Sequence, residues 1–304
     1  MVEGCDGIRM KKLILVYNPV SGDAMFKYKL DDIFAKFLEN DCIIIPYRTQ
    51  KENEKSFIAF FQSVDVDGIV ISGGDGTVHE IINLMIQHEI DLPIGIIASG
   101  TSNDFASFLG INEDLDGYIK AIARGKVMPI DIGKIGDKYF INVASAGVLT
   151  SVAHKVDAGL KNAIGKMAYY LKGLGEIPGF RALNLTIQAD GLVIHENVFL
   201  FVIINSGTVG SMKNIATHAK IDDGKLDMII VKQCSIPELM GLAVELLAGN
   251  DITKRNNVIY LQAKDICIDC TECIESDLDG ELGPKLPLHI KTLQGKLNLF
   301  YESK

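Results

Sequence analysis

The stretch Ser72-Gly73-Gly74-Asp75-Gly76-Thr77-Val78-His79-Glu80 carries residue types suited to holding a phosphate. Glycines let bare backbone N–H groups come close to an anion. The block lies between an apolar run, Gly68 to Ile71, and an amphipathic run with Val78, Ile81, Ile82 and Met85 on one face. The first run predicts a buried strand and the second a helix. Thr77 and Glu80 have capping-box spacing, which predicts a helix starting there. A glycine turn leading into a helix N-terminus is an anion site. Asp75 is the odd residue, because a carboxylate repels phosphate unless a cation or a proton-transfer role compensates. The block therefore predicts a nucleotide site with Mg²⁺ nearby. It is neither a Walker A motif nor a GxGxxG fingerprint.

Two more polar loops follow apolar runs. Asn18-Pro19-Val20-Ser21-Gly22 follows the strand expected over Lys12 to Tyr17. Ser99-Gly100-Thr101-Ser102-Asn103-Asp104 follows the one over Pro93 to Ile97. Read alone, the first could be a plain turn, and Thr101 or Ser102 a simple N-cap. Further on, Asp222, Asp223 and Asp227 crowd three carboxylates into six positions, a turn able to offer oxygen to a hard cation. Asp277-Leu278-Asp279-Gly280-Glu281 is a second acidic turn. Cys267, Cys270 and Cys273 have CxxCxxC spacing, but flanking Ile266, Ile268 and Ile274 favour a strand over a metal motif.

These loops must be positioned by the elements between them. Up to about Arg124, strands alternate with helices. Helical faces are expected over Leu30 to Leu38 and Ser56 to Gln62, with strands at Cys42 to Tyr47 and Gly68 to Ser72. That alternation predicts a doubly wound, mostly parallel α/β domain over residues 10–135. Ligands of such sheets bind outside the carboxyl ends of the strands, where all three polar loops emerge. The second half, residues 136–304, reads as mainly antiparallel, a β-sandwich. Its strands are expected at Phe140 to Val148, Ala182 to Gln188, Leu192 to Ile204, Leu226 to Val231, Val258 to Asp269 and Leu286 to Phe300, the last folded at Gln294-Gly295. Asp190-Gly191 marks a hairpin, and Ile236 to Leu247 a helix.

The 304 residues are 48% hydrophobic with no Trp, enough for a substantial core. A formal charge of −9 argues against general nucleic-acid binding. Six cysteines in a chain this long do not suggest a disulfide scaffold. No apolar run approaches the roughly 20 residues that cross a bilayer. Met1 to Lys12 has no secretory h-region, and Met10 is an alternative start.

In combination, Asn-Pro-Val-Ser-Gly, Gly-Gly-Asp-Gly-Thr, Gly-Thr-Ser-Asn-Asp-Phe-Ala, Asp-Asp-Gly-Lys-Leu-Asp and Leu-Asp-Gly-Glu resemble the bacterial soluble diacylglycerol kinase and YegS-like lipid kinase family. Order and spacing match from about residue 12 to 300. The resemblance implies an NAD kinase/diacylglycerol kinase-like first domain and a lipid-substrate β-sandwich. It implies that ATP is held by Asn18, Pro19, Val20, Ser21, Gly22, Thr49, Gly73, Gly74, Asp75, Gly76, Thr77, Glu80 and Thr101. It places Asp75, Asp104 and Asp223 around catalytic Mg²⁺, Glu281 as general base, and a structural Mg²⁺ on Asp223 with backbone oxygens of Lys220 and Lys225.

The chain departs from the family pattern at His79, where Asn is usual, and over Gly210 to Thr217, which replaces a more glycine-rich stretch. The implied activity is γ-phosphate transfer from ATP to a lipid hydroxyl such as that of diacylglycerol. It implies a cytoplasmic enzyme at the inner face of the membrane. A lysine-rich patch from Lys155 to Lys172 offers peripheral contact with anionic headgroups. A homodimer is left open. The rivals are a soluble-metabolite kinase of NAD kinase type and a non-catalytic lipid or nucleotide sensor.

Overall fold

The computed structural model describes residues 9–22, 26–50, 54–111, 114–147, 182–209, 212–213, 215–216 and 218–301. The Lys155 to Lys172 patch and half of the Gly210 to Thr217 stretch lie outside them. The chain divides into two compact units, 1–130 with 296–304, and 131–295.

In the first unit, strands β1 (Lys11–Tyr17), β2 (Cys42–Arg48), β3 (Gly68–Gly73) and β4 (Ile94–Ala98) alternate with helices α1 (Leu30–Glu39), α2 (Glu54–Gln62), α3 (Asp75–Gln87), α4 (Asp104–Phe108) and α5 (Leu115–Arg124). The strands are parallel in the order β2-β1-β3-β4. Every residue of β3 is buried, as a central parallel strand requires. Sequence periodicity missed α5. It is capped by the Asp114 carboxylate, which accepts from Gly117 N–H at 2.8 Å, and ends at Gly125, φ +71°. Leu38 does not join the buried face of α1, which is formed by Ile33 and Phe37.

The second unit is antiparallel. Its first strand, β5 (Val127–Ile135), crosses from one unit to the other. It is followed by β6 (Lys138–Phe140) and β7 (Val143–Gly147), then β8 (Leu183–Ala189) and β9 (Leu192–Ile204), with two short strands, β10 (Thr208–Val209) and β11 (Met212–Lys213). Next come β12 (Leu226–Lys232), helix α6 (Ile236–Leu247), β13 (Val258–Ala263), β14 (Asp265–Cys270), β15 (Glu275–Leu278), β16 (Glu281–Lys285) and β17 (Leu288–Phe300).

β8 and β9 form the hairpin expected at Asp190-Gly191, with φ values of +46° and +90° at the two turn residues. β9 is long enough to pair with β8 over its first half and with β7 and β12 over its second. Alternating strand residues such as Leu185, Ile187, Phe201, Met228, Ile266 and Ile290 fill one core. The run Val258 to Asp269 is two strands broken at Lys264, not one. The Leu286 to Phe300 run does not fold into a hairpin at Gly295. It remains one strand with φ +58° at that glycine; its early part pairs with β14 and Leu299 with Ile94 of β4.

Candidate functional site

The strand order of the first unit puts a topological switch between β1 and β3, because the chain leaves β1 toward β2 and returns on the other side. Ligands of such sheets sit in the crevice at that point. The Asn18 loop leaves β1 there, the glycine block leaves β3, and the Ser99 loop leaves the neighbouring β4.

Hydrogen bonds tie the three loops together. Asn18 N–H donates to the Ser72 carbonyl at 3.0 Å, and its Nδ2 donates to Thr77 Oγ1 at 3.1 Å. The Asn18 Oδ1 in turn accepts from Val20 N–H at 3.1 Å, curling the loop. Ser99 N–H donates to the Gly73 carbonyl at 3.1 Å. The Asn103 side chain fastens Gly100 from both sides, accepting from its N–H and donating to its carbonyl, each at 2.8 Å. Thr49 N–H reaches the Tyr17 carbonyl at 3.0 Å, so the end of β2 sits beside the Asn18 loop.

Glycine is required where the loops touch. A Cβ on Gly100 would lie 2.3 Å from Gly74 Cα, and one on Gly22 would lie 2.5 Å from the Ser99 carbonyl oxygen. Both neighbours are backbone and cannot rotate away. We expect Gly100→Ala to part the loops. Overpacking of this kind costs about 1–3 kcal/mol, read here as roughly 10–100-fold weaker nucleotide binding by calorimetry. Wild-type affinity in that variant would mean that the loop contact does not shape the cradle.

The expected capping box at Thr77 and Glu80 does not form. β3 runs straight into α3, so the N-cap falls on Gly74 in extended backbone. Thr77 lies inside the first turn, with its N–H bonded to the Gly74 carbonyl and its hydroxyl accepting from Asn18. The S/T-x-x-E box appears instead at α6, where Ser235 N–H and Oγ both donate to Glu238 Oε2. The Ser99 loop is likewise capped by neither Thr101 nor Ser102. Asn103 takes that place in left-handed backbone, φ +51°, ahead of buried Asp104. Asp75 stands in the first turn of α3, where the helix dipole favours an anion. Thr101 and Glu80 are exposed at the rim.

The remaining residues fall in the second unit. Asp223 opens a turn in which its Oδ1 accepts from Lys225 N–H at 3.0 Å and Gly224 has φ +75°. Glu281 is exposed at the start of β16, next to the two-residue turn Asp279-Gly280, with φ +53° and +92°.

Sequence reasoning missed the groups that hold these two turns. Asp131, fully buried on β5, accepts from Gly224 N–H at 2.5 Å and from Gly295 N–H at 2.7 Å. Burial pushes its carboxyl up, opposed by those two N–H donors. Asn205 Nδ2 donates to both the Asp131 carbonyl, at 2.7 Å, and the Ile141 carbonyl, at 3.0 Å. The Asp279 carboxylate then accepts the N–H groups of Ile141, Asn142 and Val143 at 2.8–3.0 Å. One buried chain of hydrogen bonds therefore connects the Asp223 turn with the Glu281 hairpin. The available signal was a single aspartate between Ile130 and Ile132 in an apolar strand. Asp131→Asn keeps one acceptor where two are needed, so one backbone N–H faces an amide NH₂. The expected loss is about 1–3 kcal/mol by urea unfolding, and an unchanged midpoint would discount the clamp.

A family model described as the diacylglycerol kinase catalytic domain matches residues 12–135. A second, described as the YegS C-terminal NAD kinase beta sandwich-like domain, matches residues 142–301. The diacylglycerol kinases of Staphylococcus aureus strains JH9 and Newman are each 33% identical over 293 residues, 95% of this chain and 92% of theirs. The chain belongs to the diacylglycerol kinase-like lipid kinase family. The crystal structure of a diacylglycerol kinase from Bacillus anthracis str. Sterne matches with a TM-score of 0.77 at 27% identity, covering 97% of this chain and 99% of that one.

As a family member the chain is a phosphotransferase with a parallel α/β half and a YegS-type β-sandwich half. No helix among the described residues is long and apolar enough to cross a membrane.

Proposed function

We propose that this chain transfers the γ-phosphoryl group of ATP to a lipid hydroxyl such as that of diacylglycerol. The observation that carries the reading is the meeting of three loops at the β1/β3 switch, two of them in backbone contact at Gly74 and Gly100, beside the N-terminus of the 13-residue helix α3. Backbone N–H groups and the helix dipole there suit a polyphosphate. The Asn18 loop, Gly73 to Thr77 and the Ser99 loop hold and orient the nucleotide, with Thr49 and Thr101 at its edges.

Asp75 and Asp104 in the first unit, and Asp223 in the second, each offer hard oxygen donors of the kind that suits Mg²⁺. The Asp223 turn fits a further ion through its carboxylate and the backbone oxygens of Lys220 and Lys225, since left-handed Gly224 curls the turn back on itself. Bound Mg²⁺ supplies charge neutralisation at the transferring phosphoryl group, where positioning and electrostatics dominate the chemistry. Glu281 takes the proton from the acceptor hydroxyl. The hydroxyl oxygen forms the new O–P bond as the bond to the β-phosphate oxygen breaks, and ADP leaves. Peripheral contact with a membrane follows from the acceptor's insolubility.

The test is phosphotransfer from labelled ATP to a total lipid extract, with products identified by mass spectrometry and NAD and sugars as soluble controls. A labelled phospholipid is expected. Label appearing only in a soluble acceptor would overturn the lipid reading.

A further inference from the structure

β14 and β17 are adjacent antiparallel strands, and their register sets Cys267 directly opposite His289. Asp265 lies two residues before Cys267, hence on the same face of the sheet. The ligand atoms of all three side chains fall within 4.8 Å of one another, and His289 Nε2 is 2.8 Å from Asp265 Oδ1. Tetrahedral Zn²⁺ with bonds of about 2.0–2.3 Å needs ligand atoms about 3.3–3.8 Å apart. That spacing lies between the 2.8 Å His289–Asp265 contact and the 4.8 Å limit within which all three ligand atoms fall, so small side-chain rotations suffice.

The backbone beneath is stiff. Ile266, Ile268 and Ile290 are buried on the opposite face, and Asp190 accepts from the N–H groups of Lys264 and Asp265 at 2.9 Å each. Lys291 Nζ lies 3.6 Å from Asp265 Oδ2, leaving Oδ1 for a metal and giving the carboxylate an outer partner.

We propose that Asp265, Cys267 and His289 form a site for a borderline-soft divalent ion of the Zn²⁺ class, with water completing the coordination. One carboxylate oxygen, one thiolate and one imidazole make a donor set that selects Zn²⁺ or Co²⁺ over Mg²⁺. An ordinary surface ion pair accounts for Asp265, His289 and Lys291 but gives Cys267 no part. The CxxCxxC spacing is incidental to this site, because Cys270 and Cys273 are not in the cluster. Binding deprotonates the Cys267 thiol and frees His289 from its bond to Asp265, with a proton released to buffer.

The experiment is calorimetric titration of the full chain with Zn²⁺ in excess Mg²⁺, alongside Co²⁺ absorption spectra. One equivalent is expected, with a sulfur-to-cobalt charge-transfer band. Cys267→Ala and His289→Ala should each weaken binding by more than the roughly 10–100-fold that loss of an outer-shell partner costs. Cys270→Ala and Cys273→Ala should bind as wild type. Circular dichroism confirms folding of each variant, and Cys267→Ser serves where alanine disturbs the strand. Absence of binding in the wild-type chain, a missing charge-transfer band, or unchanged affinity in Cys267→Ala would overturn the proposal.

Discussion

Replacing Glu281, the proposed general base, with glutamine is expected to lower kcat by about 10²–10⁴-fold, the usual contribution of such a group when positioned at the reacting hydroxyl. The melting temperature should hardly move. Glu281 is exposed at the start of β16, its backbone paired with Leu278, so an isosteric amide disturbs no packing. Surface changes of this kind usually stay within about 0.5 kcal/mol. Nucleotide affinity should also persist, because the loops proposed to hold ATP involve other residues. Single-turnover phosphotransfer, nucleotide titration and a thermal melt separate the three effects. Retention of most activity would remove Glu281 from the role of base.

Two residues earlier the balance reverses. Asp279→Ala is expected to destabilise the protein by several kcal/mol, before any question of catalysis arises. The carboxylate is buried and accepts three backbone N–H groups, from Ile141, Asn142 and Val143. An orphaned buried donor costs about 1–3 kcal/mol, and three together are a large part of the 5–15 kcal/mol that holds a typical domain. Position 279 also has φ +53°, which aspartate tolerates better than alanine. Asp279→Asn keeps size and backbone preference and loses one acceptor, so its cost should be smaller. Urea unfolding ranks the three proteins. An alanine variant as stable as wild type would mean that this carboxylate does not pin the hairpin that presents Glu281.

Periodicity and turn chemistry worked where the signal is local. The strand–helix alternation, the Asp190-Gly191 hairpin and α6 follow from nearest neighbours, because each residue's environment there is set within a few positions. Local reading failed where a distant element decided the outcome. Thr77 has good capping spacing, yet the preceding strand continues to Gly73 and gives the cap position to Gly74. Its hydroxyl goes to Asn18, 59 positions away.

By itself the sequence determined the family and the pairing of a parallel α/β half with an antiparallel half, and it nominated the residues proposed to bind phosphate, metal or proton, because side-chain chemistry and short spacings are written in it directly. Only the tertiary structure decided which loops touch and what holds the acidic turns. Gly100 against Gly74, Asp131 on Gly224 and Gly295, and Cys267 opposite His289 are contacts between residues far apart in the chain. They come from strand order and register, which a single sequence constrains only through patterns many alternative pairings would also satisfy.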